Sequence, residues 1–255
     1  MIPNMNGRRV WTRCFSSVLW LLGTGGYGPI AAVATNSAEM EALQRAETAL
    51  QAARSCMWGR AIDMGGDVRI RSGSDTERRL RFDLQLEPGP VCPRTVFTLR
   101  SAVGTALERM TVEWCRPPRW LHFEGPDLLR GEPASGDTSV AGTTLVWSEL
   151  TLPFLWWTNL HFVGSQVVKG RMCDVIDLVA PPDERRWSRV RLYVDRELGV
   201  FLRADTFDRR GERDAVIEAK ALRRVEKKYW IVSRLDINRR DERIIVRVRE
   251  ARVQQ

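Results

Sequence analysis

From residue 59 onward, except over residues 142–161, hydrophobic and polar positions alternate with a period of two. Leu80, Phe82, Leu84 and Leu86 alternate with Arg81, Asp83, Gln85 and Glu87. Met110, Val112 and Trp114 alternate with Thr111, Glu113 and Cys115, and Val190, Leu192 and Val194 with Arg189, Arg191, Tyr193 and Asp195. Tyr229, Ile231, Leu235 and Ile237 share one face of a later strand. Ile244, Val246 and Val248 alternate with Arg243, Ile245, Arg247 and Arg249. Such alternation marks antiparallel strands with one face in water. Turn formers separate the runs at Gly73, Pro88-Gly-Pro90, Pro117-Pro118, Pro181-Pro182, Gly199 and Gly211. About ten such strands predict a mainly β fold: one large, strongly curved sheet or half-open antiparallel barrel.

Before Trp58 the period is helical. Asn36-Ser-Ala-Glu39 has the form of a capped helix start, and Met40, Leu43, Ala46, Leu50, Ala53 and Met57 recur at three- and four-residue steps. This predicts a helix from about 38 to 57, serving either as an ordinary core-facing element or as a cover over a cavity. Residues 142–161 are dense in large apolar groups and do not alternate; Leu150, Phe154 and Trp157 fall at helical steps. A short helix or helical loop capping the sheet is expected there, and a plain core segment is the competing reading.

The amino terminus changes the picture. Arg8, Arg9 and Arg13 precede an apolar core, Cys14 to Leu22, then glycines, Pro29 and Ala32-Val-Ala34. This is the pattern of a secretory signal cleaved after Ala34, leaving a single domain, 35–255, in the periplasm. The alternative is an N-terminal membrane anchor, against which the glycines and Pro29 break the stretch. Composition is that of a folded protein, with 44% hydrophobic and 28% charged residues. The formal charge is +8, three of it in that N-terminal segment, so the remainder is only mildly basic and no nucleic-acid partner is expected.

Little points to chemistry. Two histidines, His122 and His161, argue against a multi-histidine metal site. No nucleophile elbow, zinc-protease motif, P-loop or EF-hand loop is present, so no enzyme and no cofactor are expected. His161 with Glu149 and Asp195 is the nearest approach to a catalytic set, and a packed histidine explains it as well. Export permits disulfides. If the runs 95–100 and 108–115 pair as a hairpin centred between residues 103 and 104, Cys92 falls opposite Cys115 and the two can bridge; free thiols are the alternative.

Several motifs occur in an order that resembles the LolA-like outer-membrane lipoprotein-sorting family. They are Gly142-Thr143 with Trp147-Ser-Glu-Leu-Thr-Leu-Pro-Phe-Leu-Trp-Trp157, then Val163 to Cys173 ending in Gly-Arg-Met-Cys. Ser188-Arg-Val-Arg-Leu-Tyr-Val-Asp195, Thr206-Phe-Asp-Arg-Arg-Gly211 and Tyr229-Trp230 follow. Tyr193 stands where the family usually has tryptophan, and the last strand lacks a threonine often found there. The resemblance implies a half-open barrel with helices over an apolar cavity, acting on acyl chains of lipids or lipoproteins, with envelope membrane proteins as further partners and a monomeric state. Large, apolar and crowded into a segment that does not alternate, Leu150, Leu152, Phe154, Leu155, Trp156 and Trp157 are expected to form a movable lid edge contributing to an acyl-chain site. A barrel that binds a protein partner instead of lipid, and a filled barrel with no ligand, are the alternatives.

Overall fold

The computed structural model describes residues 30–73, 76–89 and 91–254. Most of the expected export signal, residues 1–29, lies outside the described residues. Helix α1 (Ile30–Trp58) starts well before Asn36 and runs through Ala32-Val-Ala34. The alanines there propagate a helix readily, so the capping residues at 36 and 37 lie within it. Its apolar stripe is buried only from Ala46 onward; Met40 and Leu43 are exposed. Among the described residues, no helix is long and apolar enough to cross a membrane.

Six strands follow: β1 (Ile62–Ser72), β2 (Thr76–Glu87), β3 (Arg94–Arg100), β4 (Ala106–Glu113), β5 (Arg119–Glu124) and β6 (Gly131–Pro133). A crossover segment comes next, here termed the lid, containing helix α2 (Trp147–Thr151) and a 3-10 turn (Pro153–Trp156). Seven more strands complete the chain: β7 (Asn159–Val168), β8 (Arg171–Val179), β9 (Trp187–Asp195), β10 (Phe201–Asp208), β11 (Arg213–Val225), β12 (Tyr229–Asn238) and β13 (Glu242–Val253). All thirteen form one antiparallel sheet in the order β6-β5-β4-β3-β2-β1-β13-β12-β11-β10-β9-β8-β7. The chain therefore walks outward from β1 to one edge, crosses through the lid, and walks back from the other edge until β13 pairs with β1.

The two edges are not hydrogen-bonded to each other, so the barrel is half open. The sheet nevertheless curls enough that Trp120 of β5, Asn159 of β7 and Val179 of β8 line one cleft. A bulge at Gly65/Gly66 shifts the β1–β13 register and adds local bend. A Cβ on Gly66 would meet the Arg247 carbonyl oxygen at 2.0 Å and the Phe82 ring at 2.8 Å, so only glycine allows this approach.

The concave face holds the core: Phe82, Phe97, Leu99, Met110, Trp187, Leu192 and Ile217 are all buried. The convex face carries the charged residues, largely matched in pairs. Asp177 accepts from Arg189 and Arg191, Asp205 from Arg203, and Asp236 from Arg234 and Arg243. In the β3–β4 hairpin, Arg94 lies opposite Glu113 and Leu99 opposite Glu108, with a register shift only next to the turn. Two steps beyond the ladder Cys92 and Cys115 are disulfide-bonded, with Cα atoms 5.0 Å apart and a sequence separation of 23. Closing a loop of that length stabilises a fold by roughly 3 kcal/mol in the chain-entropy model. Cys56 and Cys173 are free thiols.

Candidate functional site: an apolar cavity under a pinned lid

The end of α1, the lid and the concave face of the sheet enclose a cavity of about 90 Å³. Its walls come from Ala53 and Met57 of α1, Phe82 and Leu84 of β2, Ile231 and Val232 of β12, Val246 and Val248 of β13, and Leu150 and Leu152 of the lid. Arg60 is the one charged residue in the lining, and Cys56 the one thiol. Burial pushes the Cys56 thiol up, outweighing the nearby Arg60 charge, so it stays protonated at neutral pH. A lining this predominantly apolar is suited to hydrocarbon.

The lid is held at both ends by arginines. At its α2 end Glu149 is fully buried, accepts from the Val146 backbone N–H at 3.2 Å, and forms ion pairs with Arg239 and Arg186. Arg239 also pairs with Glu242 and donates to the Thr144 carbonyl, which ties this end to the β12–β13 turn. Leu152 ends α2 in the left-handed conformation, φ 55°, and opens the 3-10 turn. At that second end, Arg54 of α1 donates to the carbonyls of Leu155 and Trp157 and lies over the Trp156 ring. Burial, with the nearby Arg116 charge, pushes the Arg54 guanidinium down to about 10.

The six lid residues do not act as one group. Leu150 and Leu152 line the cavity. Phe154 and Leu155 are fully buried core residues, and Phe154 packs on Trp187. Trp157 points inward against Trp187, while half-buried Trp156 stacks on Trp114 at 5.5 Å and meets Trp58 edge-on. Trp58 and Trp114 both donate their indole N–H to Thr95 Oγ1 of β3, and with Trp156 the end of α1, the residue after β4 and the lid meet at one aromatic cluster. Trp156 and Trp157 line a separate cleft of about 710 Å³ at the seam between the sheet edges, with Trp120, Pro117 and Pro118.

The residues considered for catalysis are not brought together. Glu149 is committed to Arg239 and Arg186, Asp195 to Arg171, and His161 lies exposed in edge strand β7 opposite Asp177. His122 sits between Glu108 and Glu124. Among the described residues no group of three or more His, Cys, Asp or Glu side chains could hold a metal. Arg54 meets the lid and Arg60 the cavity, and neither was singled out by sequence pattern. Their only signal is position: both fall near the end of the helix, and Arg54 adjoins the buried Ala53.

Solved structures of low identity share this fold. A domain assigned to an outer membrane lipoprotein-sorting protein of Vibrio parahaemolyticus superposes with a TM-score of 0.70 at 10% identity, over 84% of this chain and 94% of that one. A LolA superfamily protein from Nitrosomonas europaea superposes with a TM-score of 0.64 at 11% identity, over 82% of this chain and 94% of that one. No curated protein matches the chain. Residues 126–253, half of the chain, match the model of a family described as uncharacterized protein; the chain belongs to that family, and its fold is LolA-like.

Proposed function

We propose that this protein is an exported, periplasmic, non-catalytic carrier that takes acyl chains of lipids or lipoproteins into the cavity under its lid, in the service of outer-membrane lipoprotein sorting. The observation that carries the reading is the cavity itself: apolar on every wall but one, and roofed by an element held through a few polar contacts. Each CH₂ buried there is worth roughly 0.8 kcal/mol. At about 90 Å³ the enclosed space takes only a few carbons; an apolar cavity of roughly 150 Å³ takes a benzene. A full acyl chain therefore requires the lid or α1 to move outward, and a carrier needs such a cover because a permanent seal would forbid loading.

Titration with a fluorescent fatty-acyl probe tests this. Saturable binding by the wild type, weakened at least tenfold in Val232→Trp with the melt unchanged, is the expected result. Absence of saturable binding by the wild type retires the carrier. A second reading, an envelope protein that binds a partner polypeptide, is favoured by the seam cleft, which is aromatic, proline-lined and beside unpaired strand edges. Native mass spectrometry of protein purified from its own envelope separates the two, by a co-purified lipid or a co-purified polypeptide.

A further inference from the structure

The charged edge of the cavity is more than an isolated arginine. Arg60 lines the cavity, and its guanidinium lies 3.6 Å from the ring centre of Tyr229. Lys228 places its ammonium 5.0 Å from the same ring. Lys227 and Lys228 are exposed in the β11–β12 turn, and two residues beyond that ring Ile231 enters the cavity wall. The end of α1 is tied to this hairpin by the Cys56 thiol, which donates to the Trp230 carbonyl at 3.4 Å. Among the described residues, no carboxylate lies within ion-pair distance of Arg60, Lys227 or Lys228. This contrasts with the convex face, where the arginines are largely matched by aspartates. Glu226 is the acid of the turn and is exposed to water.

The turn carries a second signal. Glu226 and Lys227 have φ of 53° and 58°, and the Lys228 N–H donates to the Val225 carbonyl at 3.1 Å. Two consecutive left-handed residues make the mirror-image hairpin turn that asparagine and glycine occupy without strain. Here a lysine, exposed in the same turn as Lys228, holds the position that glycine would fill at lower cost. Strain kept where a relaxed residue is available points to a use for the side chain.

We propose that this rim is a headgroup site: Arg60, Lys227 and Lys228 receive the carboxylate or phosphate of an anionic amphiphile whose acyl chain enters the cavity. Tyr229 orients Arg60 and Lys228 through its ring face, and the cations select charge while the cavity selects hydrocarbon. This inference rests on the carrier reading and adds the class of ligand to it.

The test displaces the fluorescent acyl probe with ligands of one chain length. One arm compares a fatty carboxylate with its uncharged monoacylglycerol; the other compares lysophosphatidylglycerol with zwitterionic lysophosphatidylcholine. The anionic member should bind about tenfold tighter in at least one arm, the size expected for one charge-assisted hydrogen bond, and the preference should shrink with added salt. The stronger arm identifies carboxylate or phosphate as the ligand. The doubly substituted Lys227→Gln/Lys228→Gln should lose the preference while binding the uncharged ligands as before, and Arg60→Gln, a change in the cavity wall itself, should lose it beyond any loss it causes for the uncharged ligands. The double variant changes only exposed side chains and keeps the test independent of folding. Equal affinity for anionic and uncharged ligands, or equal loss of both in the variants, overturns the headgroup site and leaves the carrier standing. Failure of every amphiphile to displace or bind retires both.

Discussion

At the residue scale, Glu149 shows how a polar side chain survives in an apolar setting. It is fully buried, yet its carboxylate faces Arg239 and Arg186 and caps its own helix through the Val146 N–H. Removing one partner of a buried ion pair leaves the other charge uncompensated, which costs more than the pair itself stabilises. Glu149→Gln should therefore lower stability by about 3 kcal/mol. Glu242→Gln, at the edge of the same cluster, should cost less because Arg239 keeps Glu149. Denaturant midpoints of the two variants against wild type check the order. The neighbouring tryptophans divide by the same logic: adjacent side chains on a 3-10 turn cannot share one direction, so Trp157 goes to the Trp187 side of the core and Trp156 to the aromatic cluster at the seam.

At the scale of elements, the lid is fastened unequally. Its α2 end is locked by buried ion pairs and its 3-10 end by hydrogen bonds from a single side chain of α1, Arg54. Opening at the Arg54 end breaks no buried ion pair of the lid, and Leu152 already sits in a conformation that redirects the chain there. Arg54→Ala should expose residues 153–158 to amide exchange while leaving 147–151 protected. It should also speed uptake of an acyl probe severalfold, for a stability loss of about 1–3 kcal/mol. Exchange measured by mass spectrometry and stopped-flow probe binding read the two effects. Equal loss of protection across the whole lid would assign the hinge elsewhere.

Across the whole molecule, the convex face couples stability to acid. Burial alone would raise the carboxyls of Asp177, Asp195 and Asp236, but hydrogen bonds from Arg191 and Arg189, from Arg171, and from Arg234 and Arg243 outweigh it and hold all three below the usual range. A carboxyl depressed in the folded state contributes stability above its unfolded pKa and loses it as pH falls through the folded value. Glu184, pushed up by burial, acts in the opposite direction, one group against four once Glu77, held down by hydrogen bonds from Arg79 and Arg71, is counted. Stability should thus decline as pH drops below about 4, the unfolded aspartate value. Asp236→Asn should flatten that decline while lowering stability at neutral pH. Denaturant midpoints taken from pH 7 down to pH 3 check both.

How much of this was legible without a structure follows from how far each feature reaches along the chain. The inward faces of β2, β4, β9 and β13 were readable because alternation is written within a few consecutive residues. Turns closed by glycine or proline at 73, 117–118, 181–182, 199 and 211 were readable for the same reason. So was the β3–β4 register, since a hairpin constrains residues only a few places from its turn. The β11–β12 turn was invisible because Glu226-Lys227 lacks the residues that normally mark left-handed backbone. The helical stripe named Met40 and Leu43 as readily as Leu50, but only a facing surface decides which part of a stripe is covered, and the sheet meets α1 from Ala46 onward. The lid was recognisable as an apolar, non-alternating segment; which of its residues line the cavity and which line the seam depends on the curl of a sheet whose first and last strands lie nearly the whole chain apart. Sequence determined the elements and their wet and dry faces, because these are local consequences of period and turn chemistry. Tertiary structure alone decided that β13 pairs with β1, that Arg54 reaches the lid and that Arg60 stands at the cavity mouth, because those contacts exist only once distant faces have met.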